Sequence, residues 1–153
     1  MVPFVEGCLC CDLAEGRREL PGGVIYETPA WLVEHCVGPL GVGTLIVKPR
    51  RHVVHVSELD AGESGEIGPL LQRVTAALEK LTEPDQVYVG LWSHAGGHPV
   101  HIHFVVQPVT RALMDGIGVY GPHLQTAMLD RNELPPKAEV ERFAERAREV
   151  LAG

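Results

Sequence analysis

Short apolar runs bounded by turn residues occupy much of the first fifty positions, and such runs predict β-strands. Three of them stand out: VIYET at 24–28, AWLVEH at 30–35 and TLIVKP at 44–49. Glycine and proline residues fill the breaks between these segments. We therefore expect three strands that are joined as antiparallel hairpins.

The period of the apolar positions changes after Ser57, where they recur every three or four residues through about Thr82. This spacing predicts a helix of several turns with one buried face. Residues 86–93 (QVYVGLWS) and 100–107 (VHIHFVVQ) return to strand chemistry. A Glu-, Arg- and Ala-rich stretch from Lys137 to Leu151 predicts a final helix, whereas the pattern of residues 109–134 favours no single assignment.

Length and composition favour one folded unit. The chain has 153 residues, of which 45% are hydrophobic, and this is enough for one core. We expect a single domain over residues 1–153, with 109–153 as a C-terminal extension of undetermined structure.

The charge balance bears on partners and location. Twenty acidic and thirteen basic residues give a net charge of −7, which offers no broad attraction to nucleic acid or to an anionic membrane. There is no long apolar segment of the kind that exports or anchors a chain. We expect a soluble, cytoplasmic protein whose partner is a small molecule.

Three of the eight histidines lie within the stretch HPVHIH at 98–103. Strand alternation directs His101, His103 and Val105 to one face of the sheet. The apolar residues that alternate with these three positions share the other face: Val100, Ile102, Phe104 and Val106. Two imidazoles side by side can bind one metal or one substrate, or form a partly buried, hydrogen-bonded pair. The pair alone does not decide between these roles.

Cys8 and Cys11 form a C-x-x-C pair, a spacing that lets two thiolates bind one tetrahedral zinc ion with two imidazoles. Redox activity is the rival interpretation, although no βαβ unit follows the pair. Cys10 is interpreted as a small hydrophobic residue. His52 is either a further ligand or a surface histidine in a basic cluster.

These motifs occur in an order that resembles the histidine triad (HIT) superfamily, specifically its zinc-containing bacterial branch. The resemblance spans about Cys8 to Pro108 and includes GTLIVKPRRH and HIHFVVQP. It implies an α+β fold: a five-stranded antiparallel sheet with a long helix packed on it and a C-terminal helix. It also implies a homodimer and transfer or hydrolysis chemistry on nucleoside phosphates.

The motif of this superfamily is H-φ-H-φ-H-φ-φ, with its second histidine as nucleophile, and it matches the chain in two registers. In the first, His101 and His103 are the first two histidines and Val105 replaces the third. In the second, Pro99 replaces the first histidine. The first register is preferred because it needs no gap as far as Pro108. It makes His103 the nucleophile.

The same matching assigns four residues to a closed, structural zinc site: Cys8, Cys11, His52 and His101. If the protein is an enzyme of this kind, the backbone N–H groups of Ala95, Gly96 and Gly97 are the candidates for binding phosphate oxygens. The side chains of His98 and Ser93 are secondary candidates for phosphate contact, and either is alternatively solvated. Backbone N–H groups at glycines can approach a phosphate closely.

Recognition of the nucleoside is less well matched. Cys36 stands where many members have an acidic residue for the ribose hydroxyls, and Val109 stands where many have arginine. Trp31, Leu32 and Ile46 would form an apolar wall for the base or would simply be core. The expected activity is attack of His103 on an α-phosphorus, with a covalent intermediate.

The alternative is a zinc-stabilised nucleotide-binding module with weak or no catalysis, motivated by Val105, Cys36 and Val109. A third alternative is a redox or zinc-handling protein that uses Cys8 and Cys11.

Overall fold

The computed structural model describes residues 5–95 and 97–153, and it shows an α+β fold with one five-stranded sheet. The strands are β1 (Val24–Glu27), β2 (Trp31–His35), β3 (Leu45–Pro49), β4 (Gln86–Ala95) and β5 (His98–Val109). The helices are α1 (Leu9–Ala14), α2 (Ala61–Thr82), α3 (Arg111–Ile117), α4 (Pro122–Arg131) and α5 (Lys137–Ala152).

All strand pairs are antiparallel, and the order across the sheet is β1-β2-β3-β5-β4. The five predicted strands are therefore present, and the predicted fold is confirmed. β4 and β5 form a hairpin that is longer than the sequence pattern indicated, because pairing continues up to Ala95 and His98. The segment that was expected to be an open loop is thus mostly strand.

α2 begins four residues later than the start of its apolar period. The Asp60 carboxylate accepts a hydrogen bond from the backbone of Glu63, and the Glu63 carboxylate accepts one from the backbone of Asp60. This capping box fixes the first turn. Residues 56–58 form a separate 3-10 turn. The helix ends at Thr82, as predicted, because Glu83 adopts a left-handed conformation.

One face of the sheet packs against α2 and α5 and forms the main core. Alternate residues of three strands supply the sheet side of this core: Trp31, Val33, Leu45, Val47 and Val106. The helices supply the opposing side chains: Leu70, Val74, Leu78, Phe143 and Ala147. Burial of this apolar area is the main source of stability.

The opposite face of the sheet carries the histidines and is partly covered by α1 and α4. A second apolar cluster lies there: Leu40, Ile46, Val105, Val109, Leu124 and Met128. The Gln125 side chain donates to the Gln107 side chain and ties α4 to β5. Residues 109–134, unassigned from the sequence, thus form two helices on this face. Among the described helices, none has the length and hydropathy needed to span a bilayer.

Candidate metal centre and ligand cavity

Four potential metal ligands from three distant parts of the chain converge at one edge of the histidine face. Cys8 and Cys11 come from the start of α1, His52 from the loop after β3, and His101 from β5. Their ligand atoms all lie within 4.8 Å of one another. The backbone N–H of Ile102 donates to the carbonyl of Val53 at 2.8 Å, and this bond keeps the His52 loop beside β5.

The spacing of these atoms fits a tetrahedral zinc ion. Zn–S bonds of about 2.3 Å and Zn–N bonds of about 2.0–2.1 Å imply S···N separations of about 3.6 Å at tetrahedral angles. Cys8 Sγ and Cys11 Sγ lie 3.3 and 3.7 Å from His101 Nδ1, and Cys11 Sγ lies 3.3 Å from His52 Nδ1. The donor set and its distances therefore suit zinc.

The electrostatics around Cys8 favour a metal-binding thiolate, whereas burial raises the pKa of Cys11 to about 11. A hydrogen bond with the Cys10 thiol is the largest cause that lowers the pKa of Cys8, which falls to about 3. The same hydrogen bond, together with burial, raises the pKa of Cys10. Cys8 is thus poised as a thiolate, which is the form that binds metals, whereas Cys10 stays protonated.

His103 lies on the same face as this cluster and is half-buried. Its Nδ1 atom is 3.0 Å from the carbonyl oxygen of His101, so Nδ1–H donates there and Nε2 keeps a free lone pair. Burial also lowers the pKa of His103. The side chain is therefore held as a neutral imidazole in one tautomer.

His103 lines a cavity of about 530 Å³ on this face of the sheet. Much of the lining is apolar and comes from α1, the strands and the loop after β2: Leu13, Leu40, Ile46, Val100 and Val105. A few polar side chains also line it: Cys10, Arg18, Glu34, Cys36 and His94. The volume and the mixture of surfaces are typical of a small-molecule site.

Glu34 and Lys48 form a buried ion pair beneath this cavity. Lys48 Nζ lies 2.8 Å from Glu34 Oε1 and donates to the carbonyl oxygen of Cys10 at 3.1 Å. The exposed fraction is 0% for the Lys48 side chain and 3% for the Glu34 side chain. Burial raises the pKa of Glu34, and the Lys48 charge offsets part of this effect. Lys48 thus links β3 to both β2 and α1.

The structure corrects the assignment of Trp31 to a base-binding wall. Trp31 is completely buried on the other face of the sheet, where its Nε1–H donates to the carbonyl of Glu63 in α2. Of the other two proposed wall residues, Ile46 lines the cavity and Leu32 does not. Strand alternation explains the position of Trp31, because Trp31 and the cavity residue Glu34 fall on opposite faces of β2.

Most of the described residues proposed to contact the phosphate or the ribose lie outside the cavity lining. Cys36 lines the cavity, but Ser93, Gly97 and His98 are not among the described residues that line it. Gly97 and His98 are exposed in the hairpin, and Gly96 lies outside the described residues.

Val100 lies on the histidine side of β5, contrary to simple alternation. It packs against Cys8, Cys10 and Cys11 and lines the cavity. Between the pairs Trp92↔His103 and His94↔Pro99, residues 100–102 of β5 oppose a single residue of β4. Such an irregularity redirects side chains, so the pattern HPVHIHF does not alternate strictly over its full length.

The sequence interpretation did not assign Glu34, Lys48, Arg18 or Trp92 to the site. The signal for Glu34 and Lys48 was a charged residue inside each of two apolar strand segments. Trp92 pairs with His103 across the hairpin, a relationship that requires knowledge of the strand register. Nothing local marks Arg18.

No family model matches the sequence. An uncharacterized HIT-like protein of Borreliella burgdorferi is 27% identical over 115 residues, which is 72% of this chain and 80% of that protein. This likeness supports the resemblance that the sequence motifs indicated.

Two solved structures have the same fold. A hypothetical histidine triad nucleotide-binding protein from Sulfolobus tokodaii gives a TM-score of 0.71 at 18% identity, covering 95% of this chain and 92% of that one. A zinc-bound histidine triad family protein from Mycobacterium smegmatis gives 0.66 at 20% identity, with coverage of 95% and 94%. The resemblance to the histidine triad superfamily is thus confirmed, and the chain has the fold of these proteins.

Proposed function

We propose that this chain is a nucleotide hydrolase or nucleotidyl transferase that acts at the α-phosphorus of nucleoside phosphoramidates or dinucleoside polyphosphates. One observation carries the proposal. His103 lines a ligand-sized cavity, and its Nδ1 atom is occupied by the His101 carbonyl, which leaves Nε2 as the nucleophile. The nucleotide-binding description of the Sulfolobus tokodaii protein supports the substrate class.

The proposed reaction has two displacement steps. The Nε2 lone pair attacks the α-phosphorus, a phosphorus–nitrogen bond forms, and the bond to the leaving group breaks with its electron pair. Water or another acceptor then attacks the phosphorus, loses a proton, and displaces His103 with its lone pair restored. Covalent catalysis of this kind replaces one high barrier by two lower ones.

In the same proposal, Cys8, Cys11, His52 and His101 hold a zinc ion, as the zinc-bound Mycobacterium smegmatis structure suggests. With four protein ligands, the ion has no open position for water, so its contribution is stability. The ligands fix α1 and the first half of β5, and His103 follows the ligand His101 by two residues. We propose a structural metal that keeps the nucleophile in place.

A second candidate function is nucleotide binding without efficient turnover. Val105 stands at the third histidine position and is buried among Leu40 and Ile46. A valine there provides no hydrogen bond to a leaving group. This observation favours a binding module whose zinc site and cavity are kept while its chemistry is weak.

Turnover and trapping distinguish the two candidates. We expect wild-type protein to hydrolyse adenosine phosphoramidate or a diadenosine polyphosphate, with an AMP adduct on the peptide 100–107 after a quench that preserves the phosphorus–nitrogen bond. His103→Ala should lose both, whereas His123→Ala, at an exposed histidine of α4, should keep both. Nucleotide binding without turnover or adduct would support the binding module instead.

The proposed assembly is a homodimer, an expectation that rests on the family resemblance. Light scattering at micromolar concentration should give about twice the chain mass of 16.6 kDa. A single-chain mass across the accessible concentrations would contradict it.

A further inference from the structure

Glu34 has an unsatisfied hydrogen-bond acceptor at the cavity. Its Oε1 atom is bound by Lys48, but its Oε2 atom is buried and has no hydrogen-bond partner among the described residues. An acceptor that is buried without a partner is costly, more so when it carries charge. Because Glu34 lines the cavity, an occupant of the cavity can supply the missing donor.

Strand register gives the position of Glu34 relative to His103. Glu34 pairs with Ile46, and Ile46 pairs with Val105, which lies two residues along β5 from His103. Two interstrand steps of about 4.8 Å and two residues of about 3.4 Å put the Cα atoms of Glu34 and His103 about 12 Å apart. Both residues lie on the same face, so an elongated ligand reaches from one to the other.

The part of the cavity wall between Glu34 and His103 offers little to compete with this acceptor. Its wall between the two residues is built from Ile46 and Val105, which are apolar. In pockets of this type, a few polar groups set the orientation of the ligand. The Cys36 thiol is the neighbouring polar group, directly after the end of β2, and burial raises its pKa to about 11. It is therefore a neutral, weak hydrogen-bonding group.

We propose that Glu34 is a specificity-determining residue whose Oε2 atom accepts a hydrogen bond from a donor group, hydroxyl or amino, on the ligand. The inference rests on the proposed function, which puts the phosphate of that ligand at His103. Lys48 is a positioning residue: it binds Oε1 and the Cys10 carbonyl, and it thereby orients the carboxylate. A nucleotide presents such donors on its ribose and on its base.

Analogues that lack one donor each test the proposal on unmodified, metal-loaded protein. AMP is compared by calorimetry with 2′-deoxy-AMP, with 3′-deoxy-AMP and with purine riboside 5′-monophosphate, which lacks the 6-amino group. Loss of a hydrogen bond to a charged acceptor should raise Kd by about 10- to 100-fold for one of the three. The analogue that is affected identifies the donor as ribose hydroxyl or base amino group.

Glu34→Gln then assigns the effect to this carboxylate. The substitution keeps the shape of the side chain, and the Kd penalty of the sensitive analogue should shrink to less than about 3-fold in the variant. His94→Ala, at another polar side chain of the cavity lining, should leave that penalty unchanged. If Glu34→Gln does not fold, the double variant Glu34→Gln/Lys48→Met, which removes both charges, replaces it in the same comparison.

Three outcomes would overturn the inference. If all three analogues bind as tightly as AMP, the cavity donor to Glu34 is water, and the proposed function stands without this contact. If the penalty persists in the variant, another residue makes the contact. If AMP does not bind at millimolar concentration, the proposed function fails and this inference fails with it.

Discussion

The Nδ1 atom of His103 lies 3.0 Å from the carbonyl oxygen of His101. His101, one of the four residues of the Cys/His cluster, thereby sets the tautomer of His103. The two imidazoles face the same side of the sheet, but His101 is buried against Cys8 and Cys11, whereas His103 lines the cavity. The pair thus divides into one histidine within the Cys/His cluster and one histidine at the cavity.

Substitutions at the two histidines should therefore have different effects. We expect His103→Ala to lower kcat by at least about 10³-fold, because the proposed nucleophile is lost, while zinc content and thermal stability stay near wild type. His101→Ala should lower zinc content and stability. Metal analysis, thermal melts and turnover on the same samples check this. An AMP adduct on His101 would show that the other motif register is correct.

Cys8→Ser should remove most of the bound zinc and lower Tm by roughly 10 °C or more, since a structural zinc site contributes to folding directly. Cys36→Ser is the matched control, because Cys36 lies outside the four-residue cluster and its replacement leaves the ligands intact. Elemental analysis of freshly purified protein should give about one zinc per chain. Folded wild-type protein with far less zinc would contradict the site.

Lys48→Met should destabilise the fold by about 3–5 kcal/mol at neutral pH, because Glu34 is left as an unpaired buried charge. The difference from wild type should depend on pH. Without Lys48, burial keeps the folded pKa of Glu34 raised above the unfolded value of about 4.3, so the folded state holds the proton more tightly. The loss should therefore be small near pH 5 and grow toward pH 8 in urea melts.

The control for this prediction is Lys48→Met combined with Glu34→Gln. Removing both charges should recover a large part of the lost stability and abolish the added pH dependence. An equal loss at both pH values in the single variant would show that Glu34 is not the group responsible.

Gly22→Ala should be more destabilising than an ordinary substitution at positive φ. A Cβ atom at Gly22 would lie 2.4 Å from the Cβ of Ala144 in α5, and Gly22 has a φ of +81°. Gly118 has a φ of +90° with no atom within 4 Å of an added Cβ, so Gly118→Ala isolates the backbone cost. We expect about 1 kcal/mol for Gly118→Ala and about 2–4 kcal/mol for Gly22→Ala in chemical denaturation.

Much of the fold followed from local sequence signals. The apolar runs gave all five strands to within a few residues, and the three- and four-residue spacing gave α2. The four metal-cluster residues came from the resemblance, and the structure brings them within 4.8 Å of one another. His101 and His103 share one face, as alternation predicted.

Other features depend on tertiary contacts that leave no local pattern. Every residue of β2 is buried, so its apolar pattern could not show that Trp31 faces α2 and Glu34 faces the cavity. The position of Val100 depends on the irregular pairing between β4 and β5. α3 and α4 are short, and contacts such as Gln125 with Gln107 hold α4 in place. Their periodicity was too brief to assign.

The bond from Lys48 to the Cys10 carbonyl has a practical consequence for handling the protein. Cys10 sits in the helical turn between the proposed zinc ligands Cys8 and Cys11, so a chelator that releases this turn would also remove one of the two acceptors of Lys48. We expect demetallated samples to bind nucleotide more weakly even though no ligand-contacting side chain has changed. Zinc added back before refolding should restore binding, and differences in metal loading between preparations would otherwise be mistaken for differences in affinity.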